Sequence, residues 1–355
     1  MNKLGIGVIG VGTLGRRHAE NLRRGIPTVQ LIAVADADGT RAKQVAIDLE
    51  VQHYFANAEE LLARKDIQAV VVATPSRFHA SVTQAAAAAG KHVFCEKPPA
   101  LLMQEAESAM NAVAKAGVQF QIGFMRRFDP PYARAKKLIE AGEIGEPILF
   151  KSLGRDRQPP PRSFFQGGIN GTLFLDAAIH EFDLARWLMN DEVAEVHAFG
   201  GVRGCPELAE FGDVDSAVVN LRFGRGGIGN VECLRKSNYG YDIRTEVVGS
   251  KGSFQIGYLR QTAHLVLTSV GASYDTVDHW LVRFADAYLN ELRDFVDAIL
   301  KEKPTQVAGQ EGLRALAICV AAERSHRESR PVALEGVQHF KEAQTMQPAW
   351  KSQGD

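Results

Sequence analysis

Cysteine is scarce in this chain, with four in 355 residues and no Cys-x-x-Cys pair. Cys95, Cys205, Cys233 and Cys319 lie far apart. That spacing argues against a disulfide framework and against a zinc site, and it fits reduced thiols in a cytoplasm. Long hydrophobic runs are missing too, since none approaches the roughly 20 apolar residues that a membrane-spanning helix needs. The apolar run behind Lys3 looks like a signal peptide only in outline. A glycine turn ends it, and Arg16-Arg17 follow without a small-residue cleavage site. Neither sign of charge is in excess. A net charge of −1 gives no surface-wide attraction for nucleic acid or anionic membrane. Internal repeats are absent, and the one biased tract is the alanine-rich stretch 81–89, stopped by Gly90. Metal binding, nucleic-acid binding and membrane insertion are therefore not expected.

What remains is an ordinary globular composition over enough chain for two domains. Residues 1–123 alternate strand-like runs (4–9, 31–35, 69–73, 92–95, 120–122) with helical patterns such as 42–49. Strands separated by helices predict an α/β Rossmann domain, a doubly wound parallel sheet whose ligands sit at the carboxyl ends of the strands. The loops after Ala73, Cys95 and Ile122 are then the ones to inspect. Over 124–335 the rhythm changes. A helix is expected over 133–141, and another, behind the loop Pro159-Pro160-Pro161, ends near Met189. β-rich runs follow at 195–202, 216–223, 228–234, 243–248, 253–256 and 264–269, and helices over 284–300 and 312–327 close the pattern. This predicts an α+β second domain with a large, mostly antiparallel open sheet. Residues 336–355 form a poorly patterned tail.

The sharpest signal lies at the start. The run Leu4-Gly5-Ile6-Gly7-Val8-Ile9 leads into Gly10-Val11-Gly12-Thr13-Leu14-Gly15, a helical pattern follows, and Asp36 closes the next apolar run. A Gly-x-Gly-x-x-Gly turn between strand and helix, with an acid about 20 residues on, holds a dinucleotide. Gly10 permits the turn, Gly12 lets a pyrophosphate approach the backbone, and Gly15 lets the helix pack on the sheet. The free N–H groups of the helix start face the phosphates. Asp36 accepts from the ribose hydroxyls and repels a 2′-phosphate, which favours NAD over NADP; Arg41 is the nearest counter-charge. A strand-end turn residue is the plainer alternative for Asp36.

Further motifs follow: Ala73-Thr74-Pro75-Ser76 with His79, then Glu96-Lys97-Pro98, then Gly123-Phe124-Met125-Arg126-Arg127-Phe128-Asp129. With the glycine turn, these resemble the glucose–fructose oxidoreductase / inositol dehydrogenase / rhizopine-catabolism family, whose hallmark is the Glu-Lys-Pro triplet. The resemblance runs from residue 1 to about 333. Arg126 to Asp129, Leu175 to Asp183, Tyr239 to Asp242 and Trp280 to Tyr288 resemble the inositol 2-dehydrogenases within it. The resemblance implies NAD as cofactor, held by Gly10, Gly12, Thr13, Leu14, Gly15, Asp36, Ala73, Thr74, Pro75, His79, Glu96, Lys97 and Arg126. It implies a catalytic set of Lys97, Asp176 and His180. Substrate contacts are expected from these three with Arg127, Asp156 and Tyr239, and a homotetramer is expected through the C-terminal sheet.

Oxidising a secondary alcohol requires a hydride to leave carbon and a proton to leave the hydroxyl. The protein supplies orientation and a base. Asp176 and His180 stand at i, i+4 on an expected helix and so share a face, which Asp183 continues. A carboxylate beside an imidazole fixes its tautomer and raises its basicity. In the resembling enzymes the histidine is the base, the aspartate its partner, and the lysine contacts the reacting hydroxyl. Plainer alternatives exist: a solvated lysine, a surface Asp–His pair, a helix-start histidine at 79, a structural Asp183 and a sheet aromatic at 239. The sequence does not separate the roles of Arg126 and Arg127.

Two departures bear on substrate. Many relatives carry Asn where this chain has Met125, and a thioether hydrogen-bonds a hydroxyl poorly. Some inositol enzymes carry a histidine near Gly154. The expected function is an NAD-dependent inositol 2-dehydrogenase acting on myo- or scyllo-inositol. The alternatives are a dehydrogenase of another sugar or cyclic polyol, and a dinucleotide-binding sugar-pathway regulator without turnover. The joint presence of Lys97, Asp176 and His180 argues against the regulator.

Overall fold

The computed structural model describes residues 3–334, so the tail after Gly336 lies outside the described residues. Two compact units divide the chain. Among the described residues, the first takes 3–125 and 286–316, and the second takes 126–285 and 317–334.

The first unit contains β1 (Leu4–Ile9), α1 (Thr13–Gly25), β2 (Val29–Ala35), α2 (Gly39–Asp48), β3 (His53–Phe55), α3 (Ala58–Leu62), β4 (Ala69–Val72), α4 (His79–Ala88), β5 (His92–Glu96), α5 (Met103–Ala116) and β6 (Phe120–Gly123). The strands form one parallel sheet in the order β3-β2-β1-β4-β5-β6. All six residues of β1 are buried, as helices on both faces of a parallel sheet require. Local chemistry sets the helix ends. Asp38 caps α2 by accepting from the Thr40 and Arg41 N–H groups, Asn57 caps α3, and Gly117 ends α5 in the left-handed region. The short strand β3 was not among the expected runs.

The second unit contains α6 (Pro130–Glu140), β7 (Pro147–Arg155), α7 (Arg162–Phe165), α8 (Leu173–Asp176), α9 (Ala178–Met189), β8 (Val193–Gly201), β9 (Ser216–Phe223), β10 (Ile228–Leu234), β11 (Asp242–Gly249), β12 (Ser253–Ile256), β13 (Val266–Thr268), β14 (Gly271–Ser273), α10 (Trp280–Arg283) and β15 (Val332–Ala333). Its main sheet runs β12-β11-β7-β10-β9-β8-β15, antiparallel except for the β7–β10 pair. Strand β9 alternates, with Ala217, Val219, Leu221 and Phe223 buried while Val218, Asn220 and Arg222 are exposed. Phe199, Val218 and Ile228 share the exposed face of the sheet. The opposite face is covered by α9, in which every residue but Trp187 is buried.

Several expectations are corrected. The central strand β7 was missed, because its segment carries Lys151, Gly154 and Arg155 and lacks a clean apolar alternation. Residues 266–268 pair only with β14 rather than joining the main sheet. Helix α6 starts at Pro130, where a missing N–H costs no helical bond. The single helix expected through Asp176 and Asp183 is two helices, α8 and α9, meeting at Ala177. Helices α11 (Ala285–Leu300) and α12 (Gly309–Glu328) follow α10. The first unit is completed by a later segment, 286–316. Leu292, Phe295 and Val296 of α11 belong to the same buried cluster as Ile6, Leu22, Val34 and Phe94, so apolar burial returns this helix to the first unit. No helix among the described residues is long and apolar enough to cross a membrane.

Candidate active site

The first unit gathers its candidate residues at the carboxyl ends of β1, β2, β4 and β5. Gly10 has φ +86°, and a Cβ there would lie 2.6 Å from Ala73 O and Thr74 N. A Cβ on Gly15 would lie 1.8 Å from Gly10 O. Gly12 differs, because nothing stands within 4 Å of its missing Cβ. Helix α1 begins there with no side-chain cap and no acid in its first turn, so Thr13, Leu14 and Gly15 present N–H groups at the positive end of the helix. The Asp36 carboxylate is fixed beside this turn. Its Oδ2 accepts from Val11 N at 2.9 Å and its Oδ1 from Asp38 N at 2.9 Å. Arg41 Nη1 donates to Asp36 Oδ1 at 3.2 Å.

The loops after β4 and β5 are tied together by His79. Its Nδ1 lies 2.7 Å from Pro98 O and its Nε2 lies 2.8 Å from Thr74 O. Burial pushes this imidazole below its ordinary value, against the pull of the two carbonyls, and a neutral ring donates to only one of them. The Thr74 hydroxyl is buried with no partner. Ala73 and Pro75 flank it, and the half-buried Lys97 precedes Pro98 across a cis peptide bond. Glu96 Oε2 accepts from Lys97 N at 3.3 Å, and Glu96 Oε1 lies 2.6 Å from His18 Nε2. An open approach over Gly12, an uncapped helix start, a carboxylate at the end of β2 and an orphaned hydroxyl on the β4 loop fit a dinucleotide. A surface cavity lined by Lys3, Arg23, Arg24 and Ile26 opens at the amino end of β1, away from these groups.

In the second unit Arg126 and Arg127 are held in buried ion pairs. Arg126 turns its guanidinium to Glu181 of α9 at 2.5 Å, and Ser152 donates to the other oxygen of that carboxylate at 2.6 Å. Arg127 binds Asp183 through two bonds, of 2.9 and 2.6 Å, and lies over the Trp187 ring. The two arginines left unseparated above thus serve different acids of one helix. Asp183, for which a structural role was one alternative, is 1% exposed. Asp176 at the end of α8 accepts from Arg235 Nη1 at 2.5 Å, while His180 is buried in the first turn of α9. Asp156 follows β7, its main chain bonded to Leu234 O and Ser237 N. The Tyr239 hydroxyl accepts from Arg155 at 2.7 Å and donates to Asp242 at 3.0 Å. Burial raises the Tyr239 phenol above its usual value.

Sequence reasoning missed Arg235, Asp213 and Glu181. Arg235 is fully buried beside the Phe164 and Phe165 rings, and its Nη2 lies 3.7 Å from Asp213. Asp213 accepts the N–H groups of Leu173 and Val214; burial raises its carboxyl, opposed by Arg235. One signal was available. The segment Ala178–Met189 carries His180, Glu181, Asp183 and Arg186 on several faces, so no orientation of that helix leaves all four in water.

The parallel sheet with its glycine turn defines a dinucleotide-binding oxidoreductase. Residues 4–124 match a family model described as oxidoreductase family, NAD-binding Rossmann fold, and residues 136–334 match the C-terminal alpha/beta domain of the same family. The chain belongs to this glucose–fructose oxidoreductase / inositol dehydrogenase / rhizopine-catabolism family, and its cofactor is NAD. It is 39% identical to the scyllo-inositol 2-dehydrogenase (NAD(+)) of Bacillus subtilis, over 92% of this chain and 95% of that protein. It is 39% identical to the myo-inositol 2-dehydrogenase of Thermotoga maritima, over 94% and 99%. Among solved structures, scyllo-inositol dehydrogenase from Lactobacillus casei with bound NAD(H) and scyllo-inositol superposes with a TM-score of 0.89 at 30% identity, over 94% of this chain and 99% of that one.

Proposed function

We propose that this chain is an NAD-dependent inositol 2-dehydrogenase that oxidises one ring hydroxyl of myo- or scyllo-inositol to a ketone. One observation carries the reading: Lys97, Asp176 and His180 occur together in a chain this similar to enzymes named for that substrate. When bound, NAD supplies the hydride acceptor. The rest is the work of the protein's own groups. His180 accepts the proton of the reacting hydroxyl. Asp176, anchored by Arg235, is the fixed carboxylate beside which that imidazole gains basicity. Lys97 hydrogen-bonds the reacting oxygen and stabilises the negative charge that builds on it. Arg127, Asp156 and Tyr239 read the remaining hydroxyls, and Arg127 is preorganised for this by Asp183. Asp36 selects NAD over NADP by repelling a 2′-phosphate. We also place the enzyme in the cytoplasm as a homotetramer, with the exposed apolar residues Phe199, Val218 and Ile228 of the main sheet between subunits.

The test is direct. Purified protein with NAD and each inositol isomer is followed by absorbance of the reduced nicotinamide. Turnover of myo- or scyllo-inositol is the expected result. NAD binding without turnover of any inositol, sugar or polyol would replace the proposal by the regulator.

A second reading, a dehydrogenase of another cyclic polyol or sugar, is favoured by Met125, which is 3% exposed, and by Gly154. A Cβ at position 154 would lie 2.4 Å from Glu181 Oε1, so this backbone has no room for a histidine unless Glu181 moves. A panel of sugars and polyols run in the same assay separates the two readings by kcat/KM.

A further inference from the structure

One buried cluster of the first unit takes no part in the mechanism above. Helix α11 carries Glu291 into the interior with 0% exposure, and neither of its carboxyl oxygens has a hydrogen-bond partner. His18 of α1 and Glu96 of β5 share the same small volume, with one ligand-capable atom from each of the three residues within 4.8 Å of the others. Phe94 and Tyr288 pack edge-on against the His18 ring, at 5.4 and 5.9 Å between centroids. Gly123 closes over Glu96, since a Cβ there would lie 3.0 Å from the carboxylate.

No lysine or arginine pairs with Glu291 among the described residues. Glu96 from β5 and His18 from α1 share its volume, Gln121 from β6 meets its main chain, and Tyr288 of the same helix packs on the His18 ring. Gln121 bonds only the Glu291 main-chain oxygen, at 2.8 Å. The next acid on the helix, Asp294, is engaged elsewhere, by Gln306 N at 3.1 Å, Gln306 Nε2 at 2.7 Å and Lys303 at 3.7 Å. Two carboxyl groups this close in a dry interior do not both ionise. Burial, and after it Glu96, push the Glu291 carboxyl far above the usual carboxylate range.

We propose that Glu291 is a positioning residue that stays protonated, and so neutral, in this buried volume, and thereby spares the Glu96 side chain a second buried charge and keeps it, the adjoining main chain of Lys97 and helix α1 behind the glycine turn in place. The groups form a series: Glu291 lies within 4.8 Å of Glu96, Glu96 accepts from Lys97 N, and Glu96 pairs with His18 in the second turn of α1. The catalytic consequence rests on the role proposed for Lys97. The proton on Glu291 does not, and its test needs no substrate.

An acid that is harder to ionise folded than unfolded binds more protons when folded. Its contribution is full below the unfolded value and falls as pH rises from there toward the folded value. The experiment compares the thermal unfolding of the full-length wild type and Glu291→Gln, without ligand, from roughly pH 5 to 9. The variant keeps the shape and cannot ionise, so its Tm is expected to gain on the wild type by several degrees as pH rises. A Tm difference that stays flat with pH overturns the proposal. One equivalent of a divalent metal in the wild type, lost in Glu291→Gln, overturns it too, because the cluster would then be a metal site.

In the activity arm, Glu291→Leu is expected to lower kcat about 10- to 100-fold by misplacing the lysine loop. Glu291→Gln should restore kcat at neutral pH to within about threefold of wild type, with NAD affinity in both variants within about threefold. Equal loss in Glu291→Gln and Glu291→Leu rejects the positioning role. If Glu291→Leu does not fold, Glu291→Gln and the pH dependence of Tm decide. If no inositol is turned over, the unfolding arm still reads the proton on Glu291.

Discussion

The two units bury different kinds of matter. The first is filled by aliphatic and aromatic side chains such as Ile6, Val8, Leu22 and Phe94, and its interior acids are gathered at Glu96 and Glu291 with Asp294 nearby. The second buries five arginines among its described residues, Arg126, Arg127, Arg186, Arg235 and Arg283, each against a carboxylate. Apolar burial is non-directional and forgives exchange, whereas a buried ion pair depends on both partners being present. The first unit is therefore a tolerant scaffold with a few fixed backbone positions. The second is a lattice of charges, in which the loss of one member strands another.

The largest expected effect asks whether the two units serve one reaction. Lys97→Ala in the first and His180→Ala in the second should each cut turnover roughly 10²- to 10⁴-fold, with NAD affinity unchanged in His180→Ala. Unaltered turnover in either variant removes that residue from the mechanism. Next comes stability. Asp183→Ala leaves Arg127 buried without its carboxylate and should cost about 3–5 kcal/mol in denaturant unfolding. A cost under about 1 kcal/mol would break the contrast between the units. Asp36→Ala should narrow the preference for NAD over NADP about tenfold, from the ratio of the two kcat/KM values, because it deletes one charge beside the ribose. A wild type that already prefers NADP would contradict that role. The smallest effect is the counterpart in the apolar interior: Ile6→Val should cost about 0.5–1.5 kcal/mol. A loss as large as that of Asp183→Ala would erase the distinction.

The same contrast explains what could be read in advance. The first unit was legible because its rules are local. A continuous apolar run makes a doubly covered strand, three glycines at fixed spacing make a phosphate turn, and Gly90 stops a helix. The strands of the second sheet were legible where side chains alternate, as in Ser216–Phe223. Strand β7 was not, because a central strand that carries Lys151, Gly154 and Arg155 has no pattern of its own; β10 and β11 give it one by pairing. The Asp176–Arg235 pair was invisible for a related reason. Its members lie 59 positions apart, and nothing in either neighbourhood signals the other. Arg126 and Arg127 stand side by side in sequence, yet only the partners on α9 tell them apart.

The early strands of the first unit wait for a helix that arrives late. The ribosome makes β1 to β6 first, then all of 126–285, and only afterwards Leu292, Phe295 and Val296, which finish the same oily cluster. During that interval the nascent sheet has one wall missing and presents Ile6, Leu22 and Phe94 to whatever is nearby. A gene cut after Met125 would yield a sticky, chaperone-bound fragment, and synthesis is safe only once the polypeptide has doubled back on its own beginning.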